Sequence, residues 1–429
     1  TNAPGPPAVK TSGAASDRYQ YVFYELAERV EHYAPGGFCP VEVSDLLHER
    51  YRVVQKLGDG GYSTIWLAQD EQTANKYVAV KVCMADSVQN EGDILADLQG
   101  PSLPNNACAK ASICPVLDRF SISSPNGTHP CFVTIPARCT IAGALDDYTP
   151  CTFPLKVARS LAVQLVVAVA HVHDMGYVHG DLHMNNVLLQ LPSTFDDLSL
   201  DQFYDKFGRP EPLPVSRMDG KELPPGVPKR VYAVAWLGKR ARDFTLDEAR
   251  LLLSDFGVAF RPAENPRFES YTPLTNRPPE AYFEPTTPLT FASDIWSLAI
   301  GIWHIMGWLT FQKSFIFDMD DVTQDFVDML GQLPPEWWKK WEARSEWFTE
   351  DGRPNEGREV WTWDQRFMRC IQDSRRKGGM EVLGEEERTA FCDMIRGMLA
   401  YRPDKRLSAK QVFESAWMRK WAMPDYEEA

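Results

Sequence analysis

The chain has 429 residues, with 45 Lys and Arg against 59 Asp and Glu, so its formal net charge is −14 and its pI is about 5.1. This acidity argues against direct binding to nucleic acid, and the mix of 44% hydrophobic and 24% charged residues excludes fibrous and wholly disordered architectures. The longest uncharged apolar run, residues 161–170, falls short of the roughly 18 residues that span a bilayer, so no membrane partner is expected.

The nine cysteines include no C-x-x-C pair, which fits neither a disulfide framework nor a zinc site. This pattern indicates reduced thiols in an intracellular protein, and we expect it in the cytoplasm, the nucleus or both. Residues 1–18 lack the form of a signal peptide and have the composition of a flexible tail, and residues 423–429 are expected to form a short C-terminal tail.

Short β-branched runs separated by turn residues fill positions 51–135. YRVVQKLG, TIWLAQ, YVAVKVC and CFVTI predict strands of a mostly antiparallel sheet. The one helix predicted among them covers residues 87–98, where Ile94, Leu95 and Leu98 form an apolar stripe. Residues 19–138, including an N-terminal extension, are therefore expected to form a small β-rich lobe that ends at a hinge.

The turn in LGDGGYSTIWLAQD, residues 57–70, is rich in glycine. Without a β-carbon, glycine lets backbone amides approach phosphate oxygens. The candidate nucleotide-binding residues of this turn are Leu57, Gly58, Gly60, Gly61 and Ser63. A plain hairpin turn explains the same residues equally well.

V-A-V-K places Lys81 at the end of an apolar strand. A lysine there can pair with the α- and β-phosphates of a nucleotide if a carboxylate holds it, and Glu91 on the following helix is the candidate. Considered separately, Lys81 is also explained as a solvated residue at a strand end, and Glu91 as a solvated helix residue.

From Pro154 onward the pattern becomes helical. The first helix is apolar on nearly all sides, which predicts a buried position. Further predicted helices cover residues 292–307, 320–331, 385–400 and 408–422. Residues 139–422 are expected to form a larger, mainly helical lobe, and residues 191–250, rich in proline, are expected to be a partly disordered insertion in it.

Two motifs flank this insertion, YVHGDLHMNNVLLQ at 177–190 and LLLSDFGVAF at 251–260. Asp181 and Asn186 have the D-x4-N spacing of a phosphotransferase loop, in which the Asp accepts a hydroxyl proton and the Asn helps to hold a metal ion. Asp255 of D-F-G supplies a second metal ligand. Mg²⁺ prefers such oxygen ligands and shares them with ATP phosphates. Both motifs together predict ATP and Mg²⁺ as cofactors.

With these motifs in this order, residues 50–422 resemble the eukaryotic protein kinases. NRPPE at 276–280 is similar to the segment that closes the family's activation loop, and the resemblance implies that Glu280 pairs with Arg406 and that Asp294 braces the catalytic loop. It implies an α+β, bilobal fold with a small antiparallel β-rich N-lobe and a larger helical C-lobe. It also implies phosphoryl transfer from MgATP to a protein, with Asp181, Lys81 and Glu91 as catalytic residues.

A narrower resemblance is to the SR-protein-specific kinases, a subfamily of serine/threonine kinases. It is carried by residues 36–70, 123–133 and 329–353 and by the position of the insertion. This resemblance implies a basic, Arg/Ser-rich protein substrate held by an acidic groove, for which Asp321 and Asp328 in FDMDDVTQDFVD are the candidates. A solvated acidic helix face is the competing interpretation. We expect a monomer.

The resemblance also implies a nucleotide site between the lobes. Adenine would lie under Ile65 and Ala79 and over Leu188, with hinge contacts from the Ile135 carbonyl and the Ala137 amide. All five residues could equally be core packing.

Three departures from the kinase pattern leave alternatives open. Gly180 replaces the Arg that grips a phosphorylated activation loop, which predicts activity without such phosphorylation. His183 stands in place of a Lys at the γ-phosphate, and Pro273 in place of a Thr that braces the catalytic Asp; Thr272 and Thr275 are the candidate substitutes. One alternative is a pseudokinase that binds nucleotide or partners without turnover. Another is a small-molecule phosphotransferase, because the motif H-G-D-L-H-x-x-N resembles the loop of those enzymes.

Overall fold

The structure is a computed structural model that describes residues 20–73, 76–85, 91–100, 107–311 and 318–429. The predicted tail at 1–18 and the start of the helix predicted at 87–98 lie outside these residues. The chain divides into two compact units. The first contains residues up to Gly92, Pro115–Pro136 and Leu191–Leu237, and the second contains Asp93–Cys114, Ala137–Gln190 and Gly238–Ala429.

The strands form one large antiparallel sheet and a two-stranded sheet in the first unit, and a three-stranded sheet in the second. In chain order they are β1 Leu46–Leu47, β2 Tyr51–Asp59, β3 Ser63–Asp70, β4 Lys76–Cys83, β5 Val116–Ser124, β6 Gly127–Thr134, β7 Ala137–Thr140, β8 Val187–Gln190, β9 Pro212–Pro214, β10 Arg230–Tyr232 and β11 Leu251–Leu253. The large sheet has the order β1-β2-β3-β4-β6-β5, β10 pairs with β9, and the second unit contains β11-β8-β7.

The α-helices lie mostly in the second unit. They are α1 Glu91–Gln99, α2 Ala107–Ala111, α3 Ile141–Leu145, α4 Leu155–Asp174, α5 Leu200–Phe207, α6 Glu280–Phe283, α7 Phe291–Met306, α8 Met319–Leu330, α9 Pro335–Lys340, α10 Trp363–Phe367, α11 Asp373–Lys377, α12 Glu385–Met398, α13 Ala409–Phe413 and α14 Met423–Glu428. The predicted combination of a β-rich part and a mainly helical part is confirmed.

The large sheet is covered on both faces. Trp66, Val78 and Val80 pack on one face with Tyr51 and Cys39 from the N-terminal side. The opposite face carries Val54, Leu67 and Tyr77, which pack against Phe195, Phe203 and Leu237 of the insertion. Burial of each large apolar side chain contributes about 2 kcal/mol to stability. The first part of the insertion is therefore core of the first unit.

Residues 191–250 contain helix α5 and strands β9 and β10 and contribute to two apolar clusters, which corrects the expectation of partial disorder. Helix α5 has a capping box at its start, formed by Ser199 and Gln202. Val215, Val227 and Val231 pack with Tyr21, Val30, Tyr33 and Phe38 of the N-terminal extension.

Asn126 joins the extension to the insertion. Its Nδ2 donates to the carbonyls of Phe38, at 2.8 Å, and Gly226, at 2.7 Å, and the residue is buried. A Cβ at position 226 would collide with the Asn126 amide, which explains the glycine there. Asn126 is therefore a structural residue even though it begins an N-G-T sequon.

Helix α4 is the centre of the second unit, and fourteen of its twenty residues are buried. By length and composition it could cross a membrane, but 78% of its most apolar window is buried inside the protein, as in the core helix of a soluble protein. Its apolar character therefore has an explanation in packing.

The helix predicted at 408–422 is interrupted. Helix α13 ends at Phe413, and the Ser415 hydroxyl accepts a hydrogen bond from the Met418 amide at 3.4 Å. A serine in this position starts a new helical segment, since it satisfies an amide of the first turn. The other predicted helices agree with α4, α7, α8 and α12 to within two residues.

Candidate active site

The predicted site residues fall in both units. In the first unit, the glycine turn joins β2 to β3, and the Gly60 amide donates to the Ser63 carbonyl at 3.0 Å. A Cβ added at Gly58, Gly60 or Gly61 would meet no described atom within 4 Å, and their φ angles are not positive. Neither packing among the described residues nor backbone conformation requires glycine here, and the nucleotide-binding role of the turn stays a prediction.

The sheet register puts further predicted residues on one face. Ile65 pairs with Lys81 across β3 and β4, and Ala79 pairs with Thr134 across β4 and β6. Residues directly opposite in antiparallel strands share a face, and so do residues two apart. Ile65, Ala79 and Lys81 therefore line the same side of the sheet, beside the glycine turn.

Lys81 and Glu91 form a direct ion pair. The Lys81 Nζ lies 2.6 Å from Glu91 Oε2, with side chains 16% and 7% exposed. Lys81 Nζ also lies 5.4 Å from the centre of the Phe132 ring. The structure thus brings this lysine and carboxylate together, as the sequence interpretation requires.

In the second unit, Asp294 fixes the start of the catalytic loop, as predicted. Its Oδ2 accepts from the His179 amide at 2.7 Å and from His173 Nε2 at 2.9 Å, and its Oδ1 accepts from the Gly180 amide at 3.0 Å. Although burial raises the pKa of Asp294, its hydrogen bond from His173 and the nearby histidines and amide lower it overall. Asp294 is therefore a buried carboxylate that orients the backbone just before Asp181.

Asp181 and Asn186 contact each other. The Asn186 Nδ2 donates to the Asp181 carbonyl at 2.9 Å and to its Oδ2 at 3.3 Å. The other oxygen, Oδ1, is buried and has no hydrogen-bond partner among the described residues, although His183 Nε2 lies 3.5 Å away. A buried carboxylate oxygen without a donor is unfavourable unless a ligand supplies one.

Asp255 is held beside Asn186 by strand pairing. Val187 of β8 lies opposite Leu253 of β11, so the chain on either side of the insertion meets again at this point. The Ser254 amide and hydroxyl both donate to the Asn186 carbonyl at 3.0 Å. Asp255 itself is exposed and has a φ of 61°. A left-handed backbone at a residue other than glycine is a strained conformation that clusters at functional sites.

Two buried rings support this arrangement. His179 packs edge-on against Phe256, with ring centres 4.7 Å apart, and its Nε2 lies 3.0 Å from the Ser254 carbonyl. The sequence interpretation did not single out His173, His179 or Ser254. The one sequence signal for such a supporting side chain was the H-x-D motif, in which His179 lies two residues before Asp181.

Position 180 favours glycine because of its backbone conformation. Its φ is 79°, and a Cβ would lie 3.3 Å from the Val258 carbonyl oxygen. An arginine at this position would be strained in this backbone conformation.

The activation segment contains contacts that need no phosphate. Arg261 stacks over the Tyr177 ring at 4.2 Å and donates to Asp97 at 3.3 Å, and Tyr177 donates to the same carboxylate at 2.8 Å. These contacts link the segment to helix α1 and to Tyr177, two residues before His179 at the start of the catalytic loop. Thr272, a candidate brace for Asp181, is buried and lies 2.6 Å from the Ser270 hydroxyl; the hydroxyl of Thr275, the other candidate, donates to Asn276 at 3.0 Å.

The predicted pairing of Glu280 with Arg406 is confirmed. The guanidinium makes two parallel bonds to the carboxylate, at 2.7 and 2.6 Å, and both side chains are buried. This bidentate pair anchors the end of the activation segment.

The remaining predicted nucleotide contacts are half-buried. Ile135 follows β6, Ala137 begins β7, and Leu188 lies on β8 opposite Leu252 and Thr140. Their roles stay predictions.

The acidic run on α8 does not form the predicted groove as a whole. Asp328 has a side chain 1% exposed, and it makes two bonds to Arg358 that occupy both carboxylate oxygens. Burial raises the pKa of Asp328, against the opposing effect of Arg358. Asp325 pairs with Arg366 at 2.7 Å, and both are buried. The assignment of Asp328 to an open groove is therefore wrong, whereas Asp321 is half-buried and its role stays a prediction.

No family model matches the chain. The chain is 26% identical to the serine/threonine-protein kinase SRPK of Physarum polycephalum over 405 residues, which cover 91% of each protein. Over 167 residues, 38% of this chain and 30% of the relative, it is 33% identical to protein kinase dsk1 of Schizosaccharomyces pombe. It is 30% identical to SRSF protein kinase 3 of Mus musculus over 173 residues, 38% of this chain and 30% of the relative.

These similarities confirm the predicted resemblance to SR-protein-specific kinases. They also confirm the predicted enzyme class, a protein serine/threonine kinase.

Proposed function

We propose that this enzyme transfers the γ-phosphoryl group of MgATP to serine, and to threonine, in basic Arg/Ser-rich protein segments. The observation that carries the proposal is the Asp181 carboxylate, which has one oxygen oriented by Asn186 and one buried oxygen without a donor among the described residues. A substrate hydroxyl would supply that donor, and Asp181 would accept its proton as the phosphoryl group is transferred.

Asn186 and Asp255 would hold magnesium. The Asn186 Nδ2 is engaged by Asp181, so its amide oxygen is the atom available to a cation, and the strained Asp255 supplies a carboxylate from the adjoining segment. Oxygen ligands of this kind fit Mg²⁺. When bound, the ion would neutralise charge on the phosphates.

Lys81, held by Glu91, would bind the nucleotide phosphates. The short ion pair holds the Lys81 ammonium group on the sheet face that carries Ile65 and Ala79. In this scheme His183 would donate a hydrogen bond near the γ-phosphate.

We also propose that turnover needs no phosphorylation of the activation segment. Gly180 leaves no arginine for a phosphate to bind, and the contacts of Arg261 with Tyr177 and Asp97 supply an alternative anchor. Phosphatase-treated protein is therefore expected to keep its activity.

The substrate preference is inferred from relatives. One of them is named an SRSF protein kinase, and the net charge of −14 would attract a cationic segment.

The test is phosphoryl transfer from radiolabelled MgATP to an Arg/Ser-repeat peptide, with the same peptide carrying Ala for Arg as its control. Asp181→Asn should lower kcat by about a hundredfold or more while MgATP still binds. Asp174→Asn, which changes an exposed aspartate of the same unit, is the matched control and should keep wild-type activity.

Binding of MgATP without transfer by the wild type would favour the pseudokinase. Transfer to an aminoglycoside or amino alcohol, and to no peptide, would favour the small-molecule phosphotransferase. Wild-type kcat in Asp181→Asn would refute the assigned base.

A further inference from the structure

A fully buried lysine lies on β2, close to the glycine turn. The Lys56 side chain is 0% exposed, and its Nζ contacts Glu28 Oε2 and lies 3.0 Å from Asp59 Oδ1. The Glu28 side chain is 1% exposed. Removing an ammonium from water is strongly unfavourable unless carboxylates compensate it. Both carboxylates are therefore needed to hold this charge in the core.

Glu28 connects the lysine to the N-terminal extension. Its second oxygen accepts a hydrogen bond from the Tyr33 hydroxyl. Burial, followed by the adjacent Glu28 charge, raises the pKa of Tyr33, so the phenol stays a donor at neutral pH. The Ala235 amide, from the insertion, donates to the Lys56 carbonyl at 2.9 Å. The lysine is thus fixed by two segments outside the sheet.

Asp59 is the partner on the other side. It is the last residue of β2, it directly precedes Gly60, and its side chain is 29% exposed. A Cβ added at Gly58, Gly60 or Gly61 would meet no described atom within 4 Å, and glycine-rich backbone has a large conformational freedom to lose. The ion pair between Lys56 and Asp59 therefore restrains a turn whose glycine residues contribute little restraint of their own.

Lys56 lies on the sheet face opposite the one that carries the predicted nucleotide-binding residues. Lys56 lies opposite Trp66 in the register, whereas Gly58 lies opposite Ile65, which shares its face with Lys81. The ion network can restrain the turn without occupying the space a nucleotide would use.

We propose that Glu28, Lys56 and Asp59 are positioning residues that hold the glycine turn in the conformation that binds the phosphates of a nucleoside triphosphate. The N-terminal extension is then part of the nucleotide site. This inference rests on the proposed function, because it assigns a purpose to the same turn.

The test is direct titration of the full chain with MgATP, combined with KM and kcat measured on a peptide substrate. Asp59→Asn removes the charge at the accessible end of the network. It should weaken MgATP binding about fivefold and raise KM for MgATP equally, with kcat and KM for the peptide nearly unchanged.

Glu71→Gln is the matched control. It removes a carboxylate paired with Arg52 on the same sheet, where both side chains are exposed, and it should leave MgATP binding unchanged. Glu28→Gln should weaken MgATP binding in the same direction as Asp59→Asn. The double variant of Glu28 and Asp59 should lose less than the product of the two single effects, because both act through Lys56.

MgATP affinity in Asp59→Asn equal to that of Glu71→Gln would overturn the inference and leave the proposed function intact. A wild type that binds MgATP but transfers nothing would refute the proposed function alone. A wild type that binds no MgATP would overturn both. A loss of melting temperature in Glu28→Gln with unchanged affinity would show a purely structural network and so refute the positioning role.

Discussion

Replacement of Asp294 by asparagine tests how the catalytic loop is held. The carboxylate accepts three hydrogen bonds, two at Oδ2 and one at Oδ1, in a site that is 2% exposed. An asparagine keeps one accepting oxygen. The least costly orientation retains the bonds from His179 and His173 and turns the amide group toward the Gly180 amide, so that two donors face each other.

The cost follows from these contacts. A buried amide without an acceptor costs about 1–3 kcal/mol, and each of the two remaining bonds loses about 1 kcal/mol when its acceptor loses charge. Asp294→Asn should therefore lower the free energy of unfolding by about 3–5 kcal/mol. It should also lower kcat, because the misplaced backbone is that of the residue before Asp181.

Denaturant unfolding followed by tryptophan fluorescence measures this loss, since Trp296 lies on the same helix. Asp393→Asn, on the surface of α12 with a side chain 71% exposed, is the control and should change stability by less than about 0.5 kcal/mol. A loss in Asp294→Asn no larger than in this control, with kcat unchanged, would refute the reasoning.

Three further outcomes are expected. Gly180→Ala should lower the free energy of unfolding by about 1–2 kcal/mol and abolish most of the activity. Gly208 has a φ of 86°, and a Cβ there would meet no described atom within 4 Å, so Gly208→Ala should lower stability by a similar amount and leave activity unchanged. Asp328→Asn should destabilise by about 3–5 kcal/mol in denaturant unfolding and leave KM for a basic peptide unchanged. Arg50 lowers the pKa of Asp70 to about 2, so the stability this pair adds is complete above the unfolded pKa near 3.9 and is lost as pH falls through about 2. The deficit of Arg50→Met in unfolding free energy should therefore shrink as pH falls over that range, and a pH-independent deficit would contradict the assignment.

The local parts of the fold and site could be predicted from short patterns. Short β-branched runs predicted strands β2, β3, β4 and β6, and the D-x4-N spacing brought Asp181 and Asn186 together within one loop. Lys81 and Glu91 are ten residues apart, so few arrangements had to be considered. The bracing role of Asp294 came from a family resemblance, since no spacing rule links residues more than a hundred positions apart.

The insertion could not be predicted in this way. Its prolines and charges have the composition of a disordered segment, and Phe195, Phe203 and Leu237 are too far apart to form a periodic pattern. Their burial depends on an apolar sheet face around Val54 and Tyr77, whose unused area is visible only after the sheet has formed. Composition alone does not predict order in a segment that completes the core of another part of the chain.

The acidic run shows why a count of charges does not describe an electrostatic surface. Asp325 and Asp328 lie on α8, but their partners Arg366 and Arg358 come from residues 30 to 41 positions later. The sequence shows an acidic run at 317–328 with five aspartates and no base, and only tertiary structure shows that two of these charges are neutralised. A buried ion pair produces little field in solvent, because each charge cancels the other over the distance at which salt screens, about 10 Å at 0.1 M. Any attraction of this protein for a basic segment must therefore come from carboxylates that remain accessible to solvent, whereas Asp325 and Asp328 of α8 serve to hold the neighbouring arginines.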